Sequence, residues 1–215
     1  SSYRGGKNFE IIGLSRSMVE SFFPGMSSRI SGIGLDGLEK RVRRQHQLAF
    51  QSDNVVLDIG GHYGFFSLYA LNAGAKMVHV VEPSHENYKI LSKNLRGFSN
   101  VEKYNLALDK DMGEKEFLLV GPSSTNSFYE SYNTQKENPT SLGQTKTIEV
   151  NTVPFDQFIK NNNIDRIDAI KLDCEGAEWD IFPTISDDFL KYKVRKISAE
   201  LHQFNNDKGL EHHYK

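Results

Sequence analysis

Six side chains able to do chemistry stand at or near the ends of apolar runs. Asp58 lies within VVLDIGG, Glu82 follows MVHVV, Asp173 and Glu175 follow IDAIKL, and Glu200 and His202 close the run VRKISAELH. A carboxylate at the end of a buried run is costly unless it has a partner. Several on one edge are hard to explain as helix caps and point to a site. Beside Asp58, Gly60, Gly61 and Gly64 form a turn in which backbone can approach a ligand closely. Glu82 lies 22 residues after Gly60. An acid at that distance, ending the next strand, accepts the hydroxyls of a ribose.

A glycine turn with a ribose acid suits NAD, FAD or S-adenosylmethionine, and the spacing separates them. Dinucleotide sites use G-x-G-x-x-G, so that a pyrophosphate reaches the helix N-terminus. Here the string is D-x-G-G-x-x-G, with an acid two residues before the first glycine. A carboxylate there repels a pyrophosphate and welcomes an ammonium, such as the amino-acid end of S-adenosylmethionine. Glu82 likewise disfavours a 2′-phosphorylated ligand. An NAD-dependent oxidoreductase remains the weaker reading.

These residues need elements that bring them to one edge. Asn54–Ile59 reads as a strand buried on both faces, and about Phe65–Ala73 as the helix after the glycine turn. Met77–Val81 is the next strand. Ser84–Arg96 is a helix with Ser84 as N-cap, and Val101–Ala107 is a third strand. This alternation predicts a Rossmann-like, doubly wound, mainly parallel α/β sheet with helices on both faces. The pattern then changes. Residues 114–120 and 146–153 read as an extra β-hairpin around 114–153, with a long polar loop at 121–147. A loop of that length is expected to act as a lid or substrate contact, with Phe128, Tyr129 and Tyr132 able to stack on a sugar. Val153–Asn161 reads as a helix, Asp168–Leu172 as a strand, Glu178 to about Ile185 as a helix, and Val194–Leu201 as the last strand.

Residues 1–50 read as an irregular N-terminal arm and a helix, and 51–215 as the catalytic domain. The composition, 38% hydrophobic and 25% charged, is that of a globular protein. A net charge of −2 gives no electrostatic case for nucleic acid or an anionic membrane. The lone Cys174 allows no internal disulfide and fits a reducing, cytoplasmic setting. No apolar run approaches a membrane span. The oligomeric state is not legible.

Four motifs in order, VVLDIGGHYGFFS, VVEP, NLAL and IKLDCEGAE, resemble the FkbM family of S-adenosylmethionine-dependent methyltransferases over about residues 50–205. The resemblance implies a class I methyltransferase fold and O-methylation of a hydroxyl on a small molecule, sugar or natural product. It places Asp58, Gly60 and Gly64 at the methionine end of the cofactor, Glu82 at the ribose, and residues near Asn105–Leu108, among them Asn105 and Ala107, beside the adenine. Gly61, His62, Phe65 and Pro83 are further candidate cofactor-binding residues. Asp173 would lie on the cofactor side near the methyl group. His62 stands where the family pattern has Asn. The fold normally closes with a further hairpin, whereas 14 residues follow Leu201.

A hydroxyl acceptor needs its proton removed as it attacks. The candidate catalytic residues are Asp173, Glu175, Glu178 and His202, with Glu175 or His202 on the acceptor side. Those four could instead supply ligands for a divalent metal, although D-x-E-x-x-E is no specific metal signature and none is expected. A module that binds S-adenosylmethionine without catalysis, inside a larger protein, is the other alternative.

Overall fold

The computed structural model describes residues 53–119 and 146–199. The N-terminal arm, most of the 121–147 loop with its three aromatics, Glu200 and His202 lie outside the described residues. Five parallel strands form the main sheet: β1 (Val55–Ile59), β2 (Met77–Val81), β3 (Val101–Tyr104), β7 (Ile167–Leu172) and β8 (Val194–Ala199). Their order is β3-β2-β1-β7-β8. The chain winds outward from β1 to β3, then returns to lay β7 against the other side of β1. The switch point of this doubly wound sheet therefore falls between β1 and β7.

Alternation along the strands sorts the core into two layers. Val56, Val78, Val80 and Ala169 face α1 (Phe65–Asn72) and α2 (His85–Asn94), meeting Phe66, Leu68, Leu91 and Leu95. Leu57, Ile59, Val81, Ile170 and Leu172 face the other way, toward Phe155, Phe158 and Ile181. Phe155 and Phe158 belong to α3 (Phe155–Asn161), and Ile181 ends α4 (Glu178–Ile181). Phe189, on α5 (Asp187–Lys193), packs edge-on against Phe155. Each such side chain contributes about 1.5–3 kcal/mol on burial, so the two layers hold the sheet rigid beneath its edge.

The expected hairpin is present and is part of a second sheet. β5 (Gly113–Leu119) pairs antiparallel with β6 (Lys146–Val153), and β4 (Ala107–Leu108) pairs parallel with β6. The single strand expected over 101–107 is thus two. The break falls at Asn105, whose side-chain amide donates to the carbonyls of Glu82 and Pro83 at 2.9 and 3.0 Å. Two helix boundaries also differ from expectation. Val153 belongs to β6, with Pro154 as the N-cap of α3. The helix from Glu178 stops at Ile181 and tightens into a 3₁₀ turn over Phe182–Thr184, where Pro183 removes a backbone donor. α5 was not anticipated. Its signal is Ser186 at the N-cap, two aspartates in the first turn and two lysines in the last. Among the described residues no helix is long and apolar enough to cross a membrane.

Candidate functional site

Parallel register brings the strand ends together. Asp58 on β1 stands directly beside Lys171 on β7, and Ile59 beside Val81, so Glu82 emerges one step beyond. Three turns leave this edge: 58–64, 82–84 and 173–176.

Asp58 is fully buried. Ser67 of α1 donates its hydroxyl to Asp58 Oδ2 at 2.7 Å. Lys171 Nζ lies 3.3 Å from Asp58 Oδ1 as an ion pair, without the alignment of a hydrogen bond. The same ammonium donates to the carbonyls of Gly60 at 2.6 Å and Ile59 at 3.4 Å, and stands 3.9 Å from Asp173 Oδ2. Burial alone would push the Lys171 ammonium down. The charges of Asp58 and Asp173 outweigh it and hold the group above the ordinary lysine range. A buried ion pair contributes little net stability against an apolar replacement. Its presence here is accounted for by the edge it serves.

Glu82 is nearly as buried, and its carboxylate fastens the glycine turn. Oε2 accepts from the backbone N–H of His62 at 2.7 Å. Oε1 accepts from Ser84 N–H at 2.9 Å and from the Asn87 side chain at 3.3 Å. Burial is the largest influence and pushes its pKa up to about 7, against the opposing pull of these donors and of Lys171. A pH dependence follows. Below about pH 7 Glu82 takes up a proton and loses acceptor strength, so the affinity for any ligand that donates to this carboxylate is expected to fall by up to about tenfold per pH unit. Stability of the ligand-free protein runs the other way. The folded state keeps a proton that the unfolded chain releases near 4.5, so the melting temperature falls as pH rises from about 4.5 through about 7. Calorimetric titrations and thermal melts across pH 5–8 check both trends, and Glu82→Gln should flatten them.

The glycines serve the protein's own close approaches. Gly60 has φ +78, and a Cβ there would overlap the carbonyl oxygen of Asp173. A Cβ on Gly61 would overlap Val80 and crowd Leu91. His62 has φ 50, in the left-handed region that Asn, Asp and His tolerate better than other non-glycine residues. That explains how His stands in for the Asn of the family pattern.

The 173–176 loop is built from within. Glu178, fully buried, accepts from Cys174 N–H at 2.7 Å through Oε1 and from Gly176 N–H at 3.0 Å through Oε2. This holds Glu175 at φ 52 and Gly176 at φ 112. Asp173 N–H donates to Ile59 carbonyl at 3.2 Å, tying the loop to the end of β1. Burial pushes the Cys174 thiol well above its ordinary range, so it is a packing group rather than a nucleophile.

Asp58, Gly60, Gly61, His62, Gly64, Glu82, Pro83, Asn105 and Asp173 thus share one edge, with Glu175 on the loop after β7 and Glu178 opening α4. Phe65 and Ala107 are placed differently. The Phe65 side chain packs into the layer beneath α1, and Ala107 packs with Phe117 and Val150 in the small sheet. Any role for them at the edge runs through their backbone. Among the described residues no group of three or more His, Cys, Asp or Glu is arranged to hold a metal ion. Sequence reasoning missed Lys171, Ser67 and Asn87. The signal for Lys171 was available: a lysine inside IDAIKL, buried along its whole length, requires an anionic neighbour.

An open parallel sheet with this strand order, and with acid-bearing turns at its switch point, defines a Rossmann-like domain of the class I methyltransferase type. The chain belongs to the FkbM methyltransferase family: the model of the methyltransferase FkbM domain matches residues 58–214. A crystal structure of methyltransferase FkbM from Methylobacillus flagellatus KT is similar at TM-score 0.48 and 18% identity, over 72% of this chain and 35% of that one. The chain is 26% identical over 211 residues to the AMB antimetabolite synthetase AmbE of Pseudomonas aeruginosa, covering 81% of this chain and 10% of that protein. It is also 58% identical over 65 residues to the glutamate synthase [NADPH] large chain of Azospirillum brasilense, covering 30% of this chain and 4% of that protein. The chain therefore spans only a small part of the length of these curated relatives.

Proposed function

We propose that this domain binds S-adenosylmethionine and transfers its methyl group to a hydroxyl of a small molecule, sugar or natural product. The observation that carries the reading is the charge of the switch-point edge. Asp58 and Asp173 gather around one ammonium, Lys171, whose charge also reaches Glu82, and Glu175 stands on the loop after β7. That donor set suits a cationic ligand and opposes a pyrophosphate.

Bound there, the cofactor supplies an electrophilic methyl group on a sulfonium, open to in-line displacement. Glu82 holds the ribose hydroxyls and, through His62 N–H, the turn beneath them. Asp58 acts from below the surface, through its field and through the backbone that Lys171 binds. Asp173 sits on the cofactor side, while Glu175 or His202 takes the acceptor's proton. Glu178 orders the loop that carries Asp173 and Glu175. Asp173→Asn is expected to weaken cofactor binding, and Glu175→Gln to lower turnover by about 10²-fold or more with binding retained. Unchanged cofactor affinity in Asp173→Asn, or unchanged turnover in Glu175→Gln, would remove that residue from its role.

The long synthetase relative favours a second reading, in which the domain works as a binding module of a larger protein. A labelled-methyl transfer screen over sugar, polyketide and peptide hydroxyls decides between them. Transfer to any hydroxyl supports the first reading, and binding without transfer supports the second. The acceptor proposed is a small molecule or glycan rather than nucleic acid or membrane, and the location cytoplasmic, on the charge and the single cysteine.

A further inference from the structure

An ionised carboxylate has about four acceptor positions, two on each oxygen. Among the described residues, three donors reach the carboxylate of Glu82. Ser84 N–H at 2.9 Å and the Asn87 side-chain amide at 3.3 Å both end on Oε1, and His62 N–H ends on Oε2 at 2.7 Å. Lys171 acts on the group through its charge. Oε1 is therefore full, and Oε2 keeps one position.

Asn87 makes the difference between the two oxygens. It is buried in the first turn of α2, and its backbone N–H donates to the hydroxyl of Ser84, the N-cap of that helix. The helix start thereby fixes the amide against Oε1. Without that amide, each oxygen of Glu82 would carry one backbone donor and keep one open position. That is a matched pair for two neighbouring hydroxyls. With the amide in place, a single position remains.

We infer that Asn87 is a positioning residue that restricts Glu82 to one of the two ribose hydroxyls. Asn87 touches no ligand in this role. It acts by occupying Oε1. The inference rests on the S-adenosylmethionine reading above and narrows it, from two hydroxyls to one. Ribose recognition at this edge is then one-sided: one hydroxyl donates to a carboxylate, and the other contributes little.

The test is calorimetric titration of the wild type with S-adenosylmethionine and with its 2′-deoxy and 3′-deoxy analogues. It is run at pH 8, above the value of about 7 at which Glu82 takes up a proton. A hydrogen bond to a charged group is at stake for one hydroxyl only. One analogue is therefore expected to bind about ten- to hundredfold more weakly than S-adenosylmethionine, and the other within about threefold of it. Equal losses for the two analogues, or no loss for either, overturn the inference. Asn87→Leu removes the donor at similar size and opens Oε1. In that variant the two analogues should bind within about threefold of each other. A merely structural role for Asn87 would weaken all three ligands alike and leave the wild-type selectivity in place, and that result also overturns the inference. Thermal melts report whether the variant folds, and Asn87→Ala, which lacks the same donor, replaces it if it does not. Failure of the wild type to bind S-adenosylmethionine at all overturns the cofactor reading and this inference with it. Binding with equal losses overturns the inference alone.

Discussion

Glu178→Ala is expected to lower the melting temperature by about 5–15 °C and methyl transfer by about a hundredfold or more. Glu178 is fully buried, and its two oxygens are the acceptors for the amides of Cys174 and Gly176. Removing them strands two donors in the interior. At about 1–3 kcal/mol for each unsatisfied group, the cost is about 2–6 kcal/mol before the cavity is counted. The loop also loses what holds Glu175 at φ 52. A shift of about 1 Å in Asp173 or Glu175 then costs activity even in molecules that stay folded. Glu178→Gln keeps one carbonyl acceptor and should fall between wild type and Ala. Thermal melts with single-turnover transfer check the pair. An Ala variant that melts with the wild type would show that the loop is held by something else.

Gly60→Ala should be as severe, for a different reason. The residue has φ +78, which by itself costs a non-glycine residue about 1 kcal/mol or more. The larger cost is steric. The new methyl group would overlap the carbonyl oxygen of Asp173 and lie 3.1 Å from its carbonyl carbon. Those atoms cannot yield, because Asp173 N–H is bonded to Ile59 and Gly60 N–H to Val81. The expected result is loss of cofactor binding and a fall of more than about 10 °C in melting temperature. Gly113→Ala is the control. Gly113 also has positive φ, +152, but a Cβ there meets nothing within 4 Å. It should lose only the torsional part, about 1 kcal/mol. Equal melting of the two variants would contradict the steric account.

The main sheet was legible because its central strands β1, β2 and β7 are short and buried on both faces, and each is followed by a glycine or an acid. Asp58 and Glu82 stood out as charges where burial was expected. The split at Asn105 was not legible, because it depends on a side-chain amide finding the carbonyls of Glu82 and Pro83, which are distant in sequence. The roles of the glycines were only half legible. Their spacing marked a tight turn, but that Gly60 makes room for Asp173 rather than for a ligand depends on β7 lying beside β1. Glu178 looked like one more acid of the cluster. Only its bonds to Cys174 and Gly176 reveal a residue that orders the loop. Lys171 was readable in principle, as a lysine inside the mostly apolar run IDAIKL, but its meaning needed the register that sets it opposite Asp58.

The central claim is that this switch-point edge is an S-adenosylmethionine site, and parallel calorimetric titrations with S-adenosylmethionine and with NAD at pH 8 test it most directly. The account predicts saturable binding of S-adenosylmethionine, weakened by Glu82→Gln, and no binding of NAD. Binding of NAD, or of neither, would contradict it.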